Sequence, residues 1–413
     1  MEGLHRRQLR VLRGPGLARW RFEDRQGGEG RFLRRRAAAA RRGPLNRPAP
    51  VSSRLPEFTW DTLDAAAALA AAHPDGLINL SMGTPVDPVP EVIRRALAEA
   101  SDTPGYPLTA GTPALRAAIA AWVARACGAG VDGLGVLPTI GSKELVAWLP
   151  TLLGIGPGDV VVVPSIAYPT YEDGVRLAGA TTVRADSLTA VGPTSRVRLV
   201  WVNSPGNPTG RVLPATHLRK VVDWARERGA VVASDECYLP LGWEAEPVSV
   251  LSPEVCGGSY DSVLAVHSLS KRSNLAGYRA GFVAGDPALV AELLKIRKHA
   301  GMIVPAPVQA AMVAALHDEE HADEQRERYR ARRETLRTAF TAAGFTVEHS
   351  EAGLYLWLTR GEDCWETVDW LARRGILVAA GVFYGPGATQ YVRAALTESD
   401  ERISAVAARL SSR

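Results

Sequence analysis

The chain has 413 residues, of which 46% are hydrophobic and 22% are charged, a composition typical of a globular protein large enough for two domains. Residues 1–50 hold 14 arginines and 4 acidic residues, a charge of +10, so the remainder carries −6 although the formal net charge is +4. This mildly acidic body has no apolar run of the roughly 18–20 residues that span a bilayer, and we expect neither nucleic acid nor a membrane as a partner.

Residues 1–52 are rich in arginine, glycine and alanine and show little apolar periodicity. We interpret them as a disordered basic N-terminal extension, because such a composition buries too little apolar surface to fold. The alternative is a basic arm that binds an acidic partner. The segment lacks the apolar stretch of a secretory signal and the periodic helices of a DNA-binding module.

From Leu55 to about residue 300, strand and helix patterns alternate. A helix is predicted at 142–153, because Leu145, Leu149 and Leu152 share one face. Apolar strands are predicted at 158–164, 198–203, 230–236 and 262–267. Continuous apolar strands separated by helices indicate a parallel sheet that is covered on both faces.

Beyond residue 300 the pattern changes. One long helix, charged in its middle, is predicted at 306–342, and strand patterns follow at 353–358 and 375–378. These elements indicate a smaller α+β domain. The four cysteines show neither the paired spacing of a metal site nor a disulfide framework, so we expect no metal and a reducing, cytoplasmic location. They are Cys127, Cys237, Cys256 and Cys364.

Lys271 stands out, because the chain contains only five lysines against 43 arginines. It follows two serines, Ser268 and Ser270, which come directly after the strand predicted at 262–267. An amine can lose its proton and attack a carbonyl, whereas a guanidinium stays charged and does not. We therefore expect Lys271 to form an imine.

Other polar residues follow neighbouring strands. Asn207 comes after the strand at 198–203, and Asp235 and Tyr238 follow the next one. Ligands of open α/β sheets bind at the carboxyl ends of the strands, so these side chains and Lys271 are expected to converge on one crevice. Taken singly, Asp235 could cap a helix and Asn207 could form a turn. The ordered set is more specific.

This ordered set resembles pyridoxal-phosphate enzymes of fold type I, specifically the class I/II aminotransferases, over roughly residues 55–410. The resemblance implies an α/β fold with a mostly parallel seven-stranded sheet between helices, plus a smaller α+β domain. It further implies that residues 53–85 join the small domain, that 86–300 form the large cofactor-binding domain, and that 301–413 form the small C-terminal domain.

The resemblance also implies roles around pyridoxal 5′-phosphate. Lys271 would hold the cofactor as a Schiff base and shuttle the proton of the substrate. Asp235 would pair with the pyridine nitrogen, which is the protein's main electronic control of this cofactor. Asn207 and Tyr238 would hydrogen-bond the phenolic oxygen. Tyr168 would stack on the ring, although a tyrosine there could also be plain core.

The cofactor phosphate needs an anion site. Residues 139–144 form a turn that opens a helix, where free N–H groups and the helix dipole favour an anion. Ser142 and Lys143 would supply amides, and Ser142 could equally cap its helix. Ser268, Ser270 and Arg279 would complete the cage in the resembling family, with Arg279 as a charged clamp.

Substrate and subunit contacts come from further matches to the family. Arg393 matches the arginine that binds the substrate carboxylate through its planar fork, with a surface arginine as the alternative. Gly83 matches a glycine whose backbone lies beside the substrate, as Asn207 also would, although Gly83 could be an ordinary turn. Tyr106 matches the tyrosine that reaches the phosphate from the partner subunit of a homodimer. It could instead be a buried loop residue.

Four runs resemble the succinyldiaminopimelate aminotransferases of high-GC Gram-positive bacteria, at 83–90, 137–150, 270–279 and 298–302. That resemblance implies amino transfer from glutamate to N-succinyl-2-amino-6-oxopimelate, in lysine and diaminopimelate biosynthesis. Both substrates carry a distal carboxylate, for which Arg272 and Lys298 are candidate cations, or else solvated surface charges. The segment 379–381 lacks a proline often found in relatives.

Two alternatives keep the cofactor and change either the substrate or the reaction. The chain could be a class I/II aminotransferase for a different substrate. It could also be a carbon–sulfur lyase, because fold type I hosts both chemistries and a fold does not fix a function.

Overall fold

The computed structural model describes residues 49–192 and 196–411. Contacts divide the chain into Met1–Pro50 and Val51–Arg413, and the second unit is described below. The predicted disordered extension lies outside the described residues as far as residue 48, whereas residues 51 and 52 belong to a 3-10 turn, Val51–Arg54. Within the described ranges, no helix is long and apolar enough to cross a membrane.

The strands are β1 (Ile78–Asn79), β2 (Gly135–Ile140), β3 (Val160–Val163), β4 (Thr181–Arg184), β5 (Val197–Asn203), β6 (Val231–Asp235), β7 (Val263–Ser268), β8 (Ala280–Gly285), β9 (Thr346–Glu348), β10 (Tyr355–Thr359), β11 (Ile376–Leu377), β12 (Ala379–Ala380) and β13 (Tyr391–Ala395). The α-helices are α1 (Asp64–Ala71), α2 (Glu91–Glu99), α3 (Pro113–Cys127), α4 (Ser142–Leu152), α5 (Thr170–Ala178), α6 (Leu188–Val191), α7 (Ala215–Arg226), α8 (Pro253–Cys256), α9 (Leu269–Arg272), α10 (Pro287–Ala300), α11 (Ala306–His317), α12 (Glu320–Ala342), α13 (Cys364–Ala372) and α14 (Asp400–Ser411). Further 3-10 segments are Thr59–Leu63, Ala276–Tyr278, Gly381–Tyr384 and Pro386–Ala388.

A seven-stranded sheet with the order β2-β8-β7-β6-β5-β3-β4 forms the centre of the large domain. Its strands run parallel except β8, which is antiparallel to both neighbours. The predicted α/β fold with a mostly parallel seven-stranded sheet is therefore confirmed. The four predicted apolar strands correspond to β3, β5, β6 and β7.

The apolar strands bury both of their faces, as expected for a sheet between two helical layers. In β5, Leu199 and Trp201 pack into one hydrophobic core. Val200 and Val202, which point to the opposite face, pack into another. This double burial explains why the strand is an unbroken apolar run in the sequence.

A second sheet, antiparallel and ordered β12-β13-β10-β9, belongs to the C-terminal part of the chain. The N-terminal strand β1 pairs in parallel with β11 of this region. Leu63, Ile78 and Leu80 share its hydrophobic core with β10 and β13. This packing supports the prediction that residues 53–85 join the small domain, which stays a prediction.

The predicted long helix at 306–342 is wrong, because the chain forms two helices, α11 and α12, separated at Asp318. Asp318 is extended, and its carboxylate accepts the N–H groups of Glu320 and His321 at 3.0 and 3.4 Å, which caps α12. Met312 on α11 packs in the core of the large domain, whereas Leu336 on α12 packs in that of the small one. The domain boundary at residue 300 stays a prediction, and this packing favours a later one, near Asp318.

Candidate active site

A cavity of about 350 Å³ lies at the carboxyl ends of β5, β6 and β7. Strand pairing brings these ends together, since Asn203 lies opposite Asp235 and Asp235 lies opposite Val266. Twelve of the thirteen predicted site residues line the cavity. They are Gly83, Ser142, Lys143, Tyr168, Asn207, Asp235, Tyr238, Ser268, Ser270, Lys271, Arg279 and Arg393.

Lys271 lies on the short helix α9, which begins where β7 ends. Its amine donates a hydrogen bond to the backbone carbonyl of Gly83. Burial, opposed by the Cys237 thiol and aided by the nearby Arg393 and Arg279, lowers the pKa of Lys271 to about 8. About a tenth of this amine is therefore neutral and nucleophilic at pH 7, far more than for an ordinary lysine.

Asp235 ends β6 and is 7% exposed at the base of the cavity. Its carboxylate accepts the hydroxyl of Tyr171 at 2.8 Å and the backbone N–H of Cys237 at 3.2 Å. Burial raises the pKa of Asp235, and these hydrogen bonds oppose that shift. The site thus holds a carboxylate that could pair with a cationic nitrogen of a bound ring.

Asn207 is fixed by a chain of polar contacts. Its backbone N–H donates to the side chain of Asn203 at 2.7 Å, and the Asn203 amide donates to the carbonyl of Asp235 at 2.8 Å. The Asn207 side-chain oxygen accepts from Arg393 at 2.9 Å. The loop after β5 is therefore tied to the end of β6 and to the small domain at once.

Arg393, on β13, is 2% exposed and lies across the cavity from the large sheet. Its guanidinium donates to the Ser81 carbonyl at 2.6 Å and stacks 3.9 Å from the centre of the Tyr355 ring. Its buried Nε has no partner among the described residues. The segment in which a proline was expected forms strand β12, whose Ala379 pairs with Arg393.

An anion pocket forms where α4 begins. Gly141 precedes the helix. A Cβ placed on Gly141 would overlap the guanidinium of Arg279, which shows that this guanidinium lies close to the start of α4. Ser268 and Ser270 line the same cavity, and the Ser268 hydroxyl caps α9 by accepting the N–H of Ser270 at 3.1 Å. Helix N–H groups, hydroxyls and a guanidinium together suit a phosphate.

Three other candidates lie elsewhere in the single chain. Tyr106 is 99% exposed on a loop and does not line the cavity. Arg272 is neither a cavity cation nor a solvated charge, because it is 3% exposed and donates to Glu319 at 2.6 Å and to the Ala315 carbonyl at 2.7 Å. Lys298 is exposed on α10 and also does not line the cavity. Within the single chain, neither candidate lines the cavity that holds Arg393, and the identity of the cation for the distal carboxylate stays a prediction.

The structure adds aromatic residues that the sequence pattern did not reveal. Tyr355, on β10, places its hydroxyl 3.1 Å from that of Tyr238. Phe58 and Trp60 of the N-terminal segment line the cavity mouth, where the amine of Lys143 lies 5.4 Å from the centre of the Phe58 ring. These residues come from segments far apart in the chain, and no local spacing marks them.

The cavity fits a planar aromatic aldehyde phosphate. Its parts are an anion pocket at α4, the ring of Tyr168 as a stacking surface, the buried carboxylate of Asp235 for a ring nitrogen, and the amine of Lys271 for the aldehyde. This set matches the chemistry of pyridoxal 5′-phosphate part by part.

Comparisons with known proteins agree. Residues 75–410 match the family described as aminotransferase class I and II. A relative from Mycobacterium tuberculosis, named probable aminotransferase Rv1178, is 59% identical over 417 residues, which cover 99% of this chain and 100% of that protein. A relative from Streptomyces rimosus, named 4-dedimethylamino-4-oxo-anhydrotetracycline transaminase OxyQ, is 61% identical over 356 residues, or 86% of this chain and 99% of that protein.

Among solved structures, a probable N-succinyldiaminopimelate aminotransferase from Thermus thermophilus is 31% identical. The match has a TM-score of 0.78 and covers 86% of this chain and 99% of that chain. The chain therefore belongs to the class I and II aminotransferases, which depend on pyridoxal 5′-phosphate.

Proposed function

We propose that the chain transfers the amino group of glutamate to N-succinyl-2-amino-6-oxopimelate, giving N-succinyl-LL-2,6-diaminopimelate and 2-oxoglutarate in lysine and diaminopimelate biosynthesis. The observation that carries the proposal is a pair of cations at different depths of the cavity. Arg393 is buried beside Lys271, and Lys143 lies at the mouth. Both substrates carry an α-carboxylate and a distal carboxylate, so two cations suit both.

In the proposed mechanism, bound pyridoxal 5′-phosphate supplies the electron sink that makes the substrate Cα–H acidic. Nζ of Lys271 would hold the aldehyde carbon and, once displaced from it by the substrate amine, would accept the proton of the substrate Cα. Asp235, ionised, would hold a proton on the ring nitrogen. Asn207 and Tyr238 would donate to the phenolic oxygen, and Tyr168 would cover the ring.

The remaining roles concern anchoring. Ser142, Lys143, Ser268, Ser270 and Arg279 would hold the phosphate, Lys143 through its backbone. The first turn of α4, the two serine hydroxyls and Arg279 would be enough to hold the phosphate. The side chain of Lys143 would then be free to face a substrate.

The substrate carboxylates define the remaining contacts. Arg393 would bind the α-carboxylate, with Gly83 and Asn207 beside it. The side chain of Lys143, rather than Arg272 or Lys298, would receive the distal carboxylate, because it lines the cavity and they do not.

The comparisons support this substrate in part. The Thermus thermophilus structure carries the name of the succinyldiaminopimelate enzyme, whereas neither of the two relatives near 60% identity does. The Streptomyces rimosus name favours a second candidate, amino transfer to a polycyclic ketone. The aromatic side chains of Phe58, Trp60 and Tyr355 in the cavity lining could stack on fused rings.

A half-reaction screen separates these candidates. The purified, cofactor-loaded protein is mixed with one amino donor at a time, and the absorbance of the bound cofactor is followed. We expect glutamate and N-succinyl-LL-2,6-diaminopimelate each to convert the cofactor to its amine form. Conversion by glutamate without the succinylated donor would overturn the substrate, and the polycyclic ketone is then tested as acceptor. An unchanged cofactor together with released pyruvate from a cysteine conjugate would indicate the carbon–sulfur lyase.

We also infer a homodimer in which Tyr106 of each chain reaches the phosphate of the other. Its full exposure on the single chain supports this arrangement, because a partner surface could cover it. A reducing, cytoplasmic location fits the four cysteines, all of which lie in the described ranges and are free and buried.

A further inference from the structure

Tyr171 has no role in the proposal above, yet it contacts the most important carboxylate of the site. It is 1% exposed and does not line the cavity. Its hydroxyl donates to Oδ2 of Asp235 at 2.8 Å, while the backbone N–H of Cys237 donates to Oδ1 at 3.2 Å. Each carboxylate oxygen of Asp235 therefore accepts a hydrogen bond from the protein.

The ring of Tyr171 is itself fixed in place. It stacks on Trp201 of β5, with ring centres 4.9 Å apart and an interplanar angle of 23°. Tyr171 lies one residue inside α5, and β5 is the neighbour of the strand that carries Asp235. The hydroxyl therefore reaches Asp235 from a rigid platform of helix and strand, and its direction is determined by packing.

We propose that Tyr171 is a positioning residue that keeps Asp235 ionised and aimed at the ring nitrogen of the cofactor. A buried carboxylate stays charged only if donors or cations replace the lost water. Among the described residues, the titratable groups with an electrostatic interaction with Asp235 are Tyr168, Tyr171, Glu236, Cys237 and Tyr238, none of which is a cation. The cations Lys271, Arg279 and Arg393 line the same cavity, but the interactions that favour the charged form of Asp235 are the hydrogen bonds from Tyr171 and Cys237.

The strength of the donor matters for the reaction. If Asp235 takes up a proton, it can no longer pair with a protonated ring nitrogen, and the electron sink weakens. A hydrogen bond to a charged group in a buried site is worth roughly ten- to hundredfold in an equilibrium constant. The inference uses the cofactor of the family and not the proposed substrate, so a different substrate would leave it intact.

The test titrates Asp235 in the cofactor-free protein by infrared spectroscopy of the carboxylate band, identified by its loss in Asp235→Asn. Tyr171→Phe removes the hydroxyl, and 3-fluorotyrosine at position 171 makes it a stronger donor. We expect the Asp235 midpoint to rise in the first variant and fall in the second. Tyr384→Phe is the matched control, since that hydroxyl is also buried but has no partner among the described residues. It should leave the midpoint unchanged.

A second measurement uses cofactor binding without turnover. The dissociation constant of pyridoxal 5′-phosphate should rise about tenfold in Tyr171→Phe, whereas that of an analogue with carbon in place of the ring nitrogen should hardly change. An Asp235 midpoint that is the same in Tyr171→Phe and wild type would overturn the proposal. So would shifts in one direction for both the phenylalanine and fluorotyrosine variants, because packing rather than hydrogen bonding would then be responsible.

Discussion

At the scale of single residues, the site shows how an arginine-rich chain makes one lysine reactive. Lys271 lies inside a cavity that it shares with two guanidiniums, Arg279 and Arg393. Burial and like charge both disfavour the ammonium form of Lys271, so its amine loses a proton more readily without a separate general base beside it. Under the proposed function, the same two guanidiniums would bind the anionic groups of cofactor and substrate, so one arrangement of charge would serve both binding and activation.

The lowered pKa of Lys271 leads to a prediction for the cofactor-free protein. The rate constant for capture of pyridoxal should rise with pH to half of its maximum at about pH 8, where half of the amine is neutral, and level off above that. An ordinary lysine with a pKa near 10.4 would be less than about 1% neutral at that pH. Stopped-flow absorbance over pH 6–10 provides the measurement. Lys271→Ala should show no capture, and a rate that keeps rising to pH 10 would contradict the assigned pKa.

A second prediction concerns Gly83, whose carbonyl accepts from Lys271. A Cβ at this position would overlap the hydroxyl of Tyr355. Gly83→Ala should therefore lower kcat/KM about tenfold or more, since misplacing Lys271 by a fraction of an ångström disturbs a preorganised site. Adding Tyr355→Phe removes the overlapping atom and should restore part of the loss relative to Tyr355→Phe alone. If kcat/KM of the double variant instead falls by the product of the two single decreases, the overlap with the Tyr355 hydroxyl is not the cause.

At the scale of elements, the sequence predicted what local patterns encode. Strands β3, β5, β6 and β7 are apolar on both faces, so each is recognisable as an apolar run. The polar residues at their carboxyl ends, such as Asn207, Asp235 and Lys271, were predicted to line the cavity and do so. The split between α11 and α12 escaped prediction, because both sides are helical by pattern and only packing against different cores separates them. Tyr171 and Tyr355 were missed for a related reason. A buried tyrosine has the same local signature whether its hydroxyl meets a carboxylate or nothing.

The helix break gives a third prediction. Asp318 caps α12 through the N–H groups of Glu320 and His321. Asp318→Ala should lower the free energy of unfolding by about 1 kcal/mol, the usual cost of losing a capping side chain. Asp318→Asn keeps the accepting oxygen and should lose much less. Chemical denaturation measures the free energy of unfolding of both variants. Equal decreases in the two would mean that the capping hydrogen bonds are not the cause.

At the scale of the whole molecule, the N-terminal segment couples the cavity to the small domain. Asp87, four residues after Gly83, accepts both terminal nitrogens of Arg332 on α12 at 2.7 and 2.6 Å. Arg332 also donates to Asp400 at the start of α14. These ion pairs form a half-buried network. No spacing in the sequence predicts it, because Asp87, Arg332 and Asp400 lie far apart in the chain. The backbone that faces Lys271 is therefore held by the same domain that supplies Arg393.

The last prediction concerns the assembly. If Tyr106 serves the partner's cavity, Tyr106→Ala and Lys271→Ala each damage a different half of one shared site. Each variant alone should then be nearly inactive, yet a mixture that is unfolded and refolded together forms hybrid dimers with one intact site. Random pairing of equal amounts makes about a quarter of all sites intact, so roughly that fraction of wild-type activity should return. The same mixture without refolding is the control. Activity that stays at the level of the separate variants after confirmed hybrid formation would mean that Tyr106 acts within its own chain or not at all.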